Sequence, residues 1–208
     1  MSESIQIGRL LRAGVGGFVA GCSLGNEPQP ALGALVRVPL DQDLAALGLI
    51  YDIRVDDDGL VRQLAAAGEV SPGTLQDAQV NRNVPLEISV LTIGHLQGTA
   101  YSHNLPSRPP LSLDVIYLCS DDEVWEFTSQ GHFGYFRHLL RDRDLPLEDL
   151  AAAHLRQGDR IHRSRGDEPW LEAAVREWVL LLRDDYERLM GVLSSLREIE
   201  GVQKGWEA

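Results

Sequence analysis

The feature that most constrains this chain is a change in the spacing of its apolar residues near Gly131. Before that point they alternate with polar neighbours or come in short runs cut by glycine and proline. After it they recur three and four apart, and the two spacings demand strand and helix respectively. Ile5 and Ile7 alternate with Gln6 and Gly8, and Leu49, Tyr51 and Ile53 share one side of an extended segment. Strands are expected over 5–11, 18–20, 34–40, 47–55, 86–96 and 113–119, with a last one over 124–127. The prolines of Gly25 to Pro30 and Leu105 to Pro110 hold those segments open, because proline restricts itself and the residue before it. Asp56 to Gly59 reads as a turn or cap, followed by a short helix over 60–67 and a second after Ser71-Pro72. The expected fold is α+β: residues 1–130 form a small antiparallel β-barrel with short inserted helices, and residues 131–208 form a helical domain.

In the helical part, Phe133 to Leu140 and Leu147 to Leu155 read as short helices, and the polar stretch from Arg156 to Glu168 as a loop. Pro169 then opens an element running to about Ile199, on the order of 45 Å if it is one helix. Leu171, Val175, Trp178, Leu182, Tyr186, Leu189, Leu193 and Leu196 wind a single seam along it. Leu181, Val192 and Ile199 widen that seam. The width has two readings: packing within the chain, or contact with a second subunit or partner. On the second reading Trp178, Leu182, Tyr186, Leu189 and Leu193 are the candidate interface residues, since large aromatics anchor interfaces.

Charge narrows the function. A net charge of −12 argues against a general nucleic-acid surface, which needs concentrated positive charge. The arginines at 137, 141, 143, 156, 160, 163 and 165 alternate with Asp142, Asp144, Asp159, Asp167 and Glu168, as on a solvated, ion-paired surface; an anion site among them is the other reading. Lys204 is the only lysine, so neither a phosphate-binding loop lysine nor a Schiff-base lysine has a candidate in the body of the chain. Cys22 and Cys119 are far apart in apolar contexts and read as free buried thiols. The start Met-Ser-Glu-Ser lacks the pattern of a signal peptide, and no stretch reaches the roughly 20 apolar residues that span a bilayer. A cytoplasmic protein is expected.

The motifs of catalysis are incomplete. Gly14-Val-Gly-Gly17 leads to Val19 where a dinucleotide fingerprint needs its third glycine, and Gly16 to Gly21 leads to Cys22 where a P-loop needs lysine. These glycines read as a tight barrel corner. Ser102-His103 and Ser129 to His132 put serine near histidine without the roles of a triad. No histidine pair has zinc spacing, though folding could still collect His103, His132 and Asp121. Asp121-Asp122-Glu123 reads as a solvated turn. No catalytic residue, cofactor or metal is expected.

Ile7-Gly8-Arg9-Leu10-Leu11, Gly17-Phe18-Val19, Leu35-Val36-Arg37-Val38 and Gly48 to Ile53 follow one another in an order similar to the HAS-barrel. That barrel is shared by HerA-type helicases and rotary ATP synthase subunits. The proline-rich Leu105 to Pro110 followed by Val115 to Leu118 resembles the exit toward the motor in HerA-like proteins. The resemblance implies a docking surface beside an ATPase, while the motor is missing here and helices follow instead. The expectation is a non-enzymatic assembly or adaptor protein that docks through its barrel and C-terminal helix, with self-association or a separate ATPase as partner. The alternative is an enzyme or small-ligand binder with a pocket between barrel and helices, lined by His103, His132 and the arginines after Arg156.

Overall fold

The computed structural model describes residues 5–23, 29–55, 85–141 and 144–197. Its strands are β1 (Ile5–Gly14), β2 (Gly17–Ser23), β3 (Leu35–Pro39), β4 (Leu44–Val55), β5 (Pro85–Gln97), β6 (Ala100–Ser102) and β7 (Val115–Leu118). The antiparallel order β2-β1-β7-β3-β4-β5 closes on itself because β2 also pairs with β5, from Gly17 opposite Leu91 to Ser23 opposite Pro85. The result is a closed six-stranded barrel, with β6 as a short hairpin partner of β5 beyond the closure. The fold class is α+β. The helices expected over 60–67 and after Ser71 lie outside the described residues.

Strand periodicity explains the two cores. Val36, Val38, Ile50, Ile88, Val90 and Ile116 point inward with Leu10, Phe18 and Cys22 and fill the barrel, as side chains do in a barrel this small. Leu35, Leu47, Leu49 and Ile93 point outward from β3, β4 and β5 and are buried under the helices. Cys22 and Cys119 are both free and buried, and burial pushes the Cys22 thiol up to about 11.

The helices are α1 (Asp121–Ser129), α2 (Phe136–Leu139), α3 (Leu147–Ser164), α4 (Trp170–Leu181) and α5 (Tyr186–Leu196). Three expectations are corrected here. The expected strand over 124–127 and the acidic turn before it are one helix, α1. Ser120 accepts from the Glu123 backbone N–H at 3.3 Å while Glu123 accepts from the Ser120 N–H at 2.8 Å. This capping box turns the Asp-Asp-Glu run into a first helical turn, where negative charge is favoured. Glu123 also meets Arg37 of β3 at 2.6 Å, and Arg37 lies over the Tyr117 ring, so the cap is tied to the barrel wall. Ser120→Ala should lower stability by about 1 kcal/mol, read as a shift of the urea midpoint. An unchanged midpoint would mean that the ion pair and packing hold this helix start without the cap.

The second correction concerns 156–168, expected as a loop: α3 continues to Ser164. Its buried face is carried on by Gly158, Ile161 and His162, so the helical stripe persists in residues that do not look apolar. A Cβ at Gly158 would stand 2.3 Å from the Trp170 ring, and this close approach sets α3 against α4. Third, the single helix expected over 169–199 is two. The chain breaks at Leu182 to Asp185, and the Asp185 side chain caps α5 by accepting from the Arg188 N–H. Aspartate favours caps over helix interiors because its carboxylate competes for backbone donors. The segment over 133–140, expected as a helix, keeps only one turn of it in α2. Gly131, His132 and Phe133 have φ of 66°, 47° and 57° and form a left-handed turn before it. Among the described residues, no helix is long and apolar enough to cross a membrane.

Candidate functional site

Four histidines are buried where the helices meet the barrel and one another. His154 of α3 donates from Nδ1 to the Gly33 carbonyl at 3.1 Å, since a carbonyl can only accept, and its Nε2 therefore accepts from the Tyr135 hydroxyl at 3.0 Å. Burial lowers its pKa to about 4. His103, between β6 and α1, donates from Nε2 to the Phe127 carbonyl at 3.1 Å. Its other nitrogen lies under Gly131, where a Cβ would stand 2.5 Å from it, so the left-handed turn is seated on this ring. His138 donates from Nε2 to the His103 carbonyl at 2.8 Å, and Arg137 donates to the same carbonyl and to the Asn104 side chain. His162 stacks on Trp170 with ring centres 4.3 Å apart and bridges Thr128 and Asp167. Burial lowers the pKa of His103, His138 and His162 as well. All four therefore act as neutral cross-braces of the core.

The metal trio considered from sequence is not assembled. His103 is buried, His132 is exposed on the left-handed turn, and Asp121 is exposed in the first turn of α1 opposite Arg160. The described residues contain no cluster of three His, Cys, Asp or Glu side chains able to hold a metal ion. Three of the arginines are engaged with acids. Arg160 pairs with Asp121, Arg163 with Asp159 and Arg165 with Asp122, and Arg165 also lies over the Trp125 ring. The Arg160 and Arg165 pairs fasten the end of α3 to the start of α1, and the Arg163 pair lies within α3. Arg143 lies outside the described residues.

Gly14 and Gly17 pair across a two-residue turn, so this glycine segment is a hairpin end. Beside it is an open recess of about 290 Å³ bounded by Arg12, Gly16, Phe18, Tyr51 and Leu145. A second recess, of about 450 Å³, is polar and bounded by Asp41, Asp43, Gln97 and Arg108, with Arg108 paired to Asp41. Neither lining contains a histidine, cysteine or lysine.

The surface is more informative. Of the five interface candidates, Trp178, Leu182 and Leu193 are buried within the chain, Leu189 is half-buried against the helical core, and Tyr186 is 74% exposed. Other apolar side chains stand in solvent at the same α4–α5 corner: Leu180 at 61% exposure, with Val179, Leu181 and Met190. Reading the seam at a constant three-and-four spacing missed them, because the break at Leu182 to Asp185 rotates α5 relative to α4. A second exposed group lies on the barrel. Leu111 and Leu113, at 69% and 68% exposure, lie in the turn before β7, whose Ser112 hydroxyl donates to the Leu11 carbonyl of β1 at 3.4 Å. Their turn is bound to β1 by the Leu113 N–H on the Leu10 carbonyl and by Arg9 on the Leu113 carbonyl, at 2.8 and 2.9 Å. No protein-family model matches the chain, and no curated protein is significantly similar to it.

Proposed function

We propose that this chain is a non-enzymatic assembly or adaptor protein of the cytoplasm. It docks through its barrel and its C-terminal helices, beside a separate ATPase as the HAS-barrel resemblance implies. The observation that carries the reading is the concentration of exposed apolar side chains at Val179, Leu180, Leu181, Tyr186 and Met190. Apolar side chains scattered singly on a surface need no explanation, whereas a cluster rimmed by charge marks a contact site. The rim here is Arg176, Arg183, Asp184, Glu187 and Arg188.

A photo-reactive amino acid placed at Leu180 in cells, followed by mass spectrometry of the adducts, tests this. One dominant protein adduct, with this chain or with an ATPase subunit, is the expected result. A smear of unrelated adducts, or none, would refute docking at this corner. The substitution itself should leave the fold intact, because exposed positions typically change stability by no more than about 0.5 kcal/mol.

A further inference from the structure

The recess beside the β1–β2 hairpin is framed by two features that the barrel itself does not need. The first is bare backbone. Packing requires Gly17, since a Cβ there would stand 2.7 Å from the Val90 carbonyl oxygen. It does not require Gly14 or Gly16. A Cβ on Gly14 would meet only the Gly17 oxygen, at an ordinary 3.7 Å, and one on Gly16 would meet nothing within 4 Å. Conformation does not ask for them either. Two-residue hairpin turns favour glycine because their central residues usually have positive φ, and neither Val15 nor Gly16 does. Gly14 and Gly16 both line the recess. Glycine at such a place lets another molecule approach the backbone closely.

The second feature is a β-bulge in β1. Leu10 faces Ala20 and Arg12 faces Val19, so Leu11 is the extra residue. Leu10 is buried in the barrel, and strict alternation would send Arg12 in after it. The bulge turns Arg12 out to the recess, its side chain 68% exposed, and Ala13 packs against the barrel core in its place. Bulges re-aim side chains in this way. Arg12 meets Glu87 through one nitrogen at 3.4 Å, longer than a good charge-assisted hydrogen bond. Leu91, Leu145 and the Tyr51 ring supply apolar wall. Among the described lining residues, Arg12 and Tyr51 alone have polar side chains. A single cation on an apolar wall is equipment for binding.

We infer that this recess binds a small aromatic monocarboxylic acid, with its carboxylate on Arg12 and its ring over the bare backbone of Gly14 and Gly16. The planar guanidinium fork matches a carboxylate in shape and charge. One cation answers one negative charge, and Glu87 beside it disfavours a second. The volume of about 290 Å³ lies at the lower end of small-molecule sites, which run from about 300 to 1,000 Å³, and so suits a compact ring system. The site is separate from the α4–α5 corner, and its test is independent of docking there.

Titration of the isotope-labelled full chain at neutral pH, followed by NMR, tests it, with naphthoate as the acid and naphthamide as its neutral counterpart. The amide signals of Gly14, Gly16 and Gly17 should shift saturably with naphthoate, and naphthamide should bind about tenfold more weakly. Arg12→Gln, at an exposed position, should weaken naphthoate by a similar factor and leave naphthamide unchanged. Glu87→Gln removes the competing carboxylate and should tighten naphthoate. Gly16→Ala should melt no lower than wild type, because the new Cβ is unopposed and the φ suits alanine. It should still weaken both ligands by taking up their space. The absence of saturable shifts at the hairpin would overturn the inference. Equal binding of naphthoate and naphthamide, unaffected by Arg12→Gln, would also overturn it, leaving an apolar hollow that does not recognise a carboxylate. Wild-type affinity in Gly16→Ala would remove the bare backbone from the site and overturn the placement of the ring.

Discussion

Trp178→Ala is expected to destabilise the fold by about 3–5 kcal/mol, the range for removing a large buried aromatic. The Trp178 ring is fully buried at the centre of the helical layer and stacks on Phe136, with centres 4.4 Å apart and planes 16° from parallel. Leu182, one turn on, is buried in the same core. Equilibrium urea unfolding at neutral pH is the measurement. Trp178→Phe separates the ring's packing from its polar edge. The indole N–H finds no partner among the described residues, so phenylalanine relieves an orphaned donor and should cost far less than alanine. Tyr186→Ala, eight residues along, should cost almost nothing. A small effect of Trp178→Ala, comparable to that of Tyr186→Ala, would show that this helical layer is not packed as described.

Acidification should weaken the protein well before its carboxylates titrate. An unfolded histidine titrates near 6.5, while His154 in the fold titrates at about 4. Between those values the unfolded chain binds a proton that the folded one refuses. The stabilisation is therefore complete above pH 6.5 and is lost as pH falls toward 4. For His154 the loss is on the order of 2 kcal/mol by pH 5 and 3 kcal/mol by pH 4. His103, His138 and His162 are shifted in the same direction by burial and add to the loss. Burial explains why no second proton is taken up easily, and at three of the four rings no carboxylate offsets it. His154 faces a carbonyl and a hydroxyl with no carboxylate in the contact, and His103 and His138 face carbonyls beside Arg137. His162 alone has an acid, Asp167, on its ring. The urea midpoint should fall steeply from pH 7.5 to pH 5, and His154→Gln should flatten part of that fall. A midpoint independent of pH over this interval would mean that the histidines are solvated in the native state.

The barrel was legible because its signals are local. Strand alternation and proline punctuation mark β1, β3, β4, β5 and β7 without reference to anything distant. The errors fall where a local signal was read with the wrong weight. Ser120 and Glu123 spell a capping box, yet the apolar run of Val124 to Phe127 suggested extension. Asp184-Asp185 is a cap signal, yet the leucine seam ran past it. β6 is three residues long and exists only because β5 outruns β2 and leaves an open edge for it. The interface candidates show the same limit: burial of Trp178 and exposure of Tyr186 lie on one sequence seam.

By itself the sequence determined the fold class, the alternation that fills the barrel, the loss of any phosphate-loop or Schiff-base lysine, and the free state of two distant cysteines. Those follow from residue type and short-range spacing, which need no knowledge of what lies opposite. Only the tertiary structure decided that β2 closes on β5, that four histidines brace the core as neutral rings, and that His103, His132 and Asp121 do not meet. It also decided which leucines face water, because a four-residue break between α4 and α5 changes the direction of every side chain after it. Exposure is a property of what packs against a residue, and that partner is chosen by the whole chain.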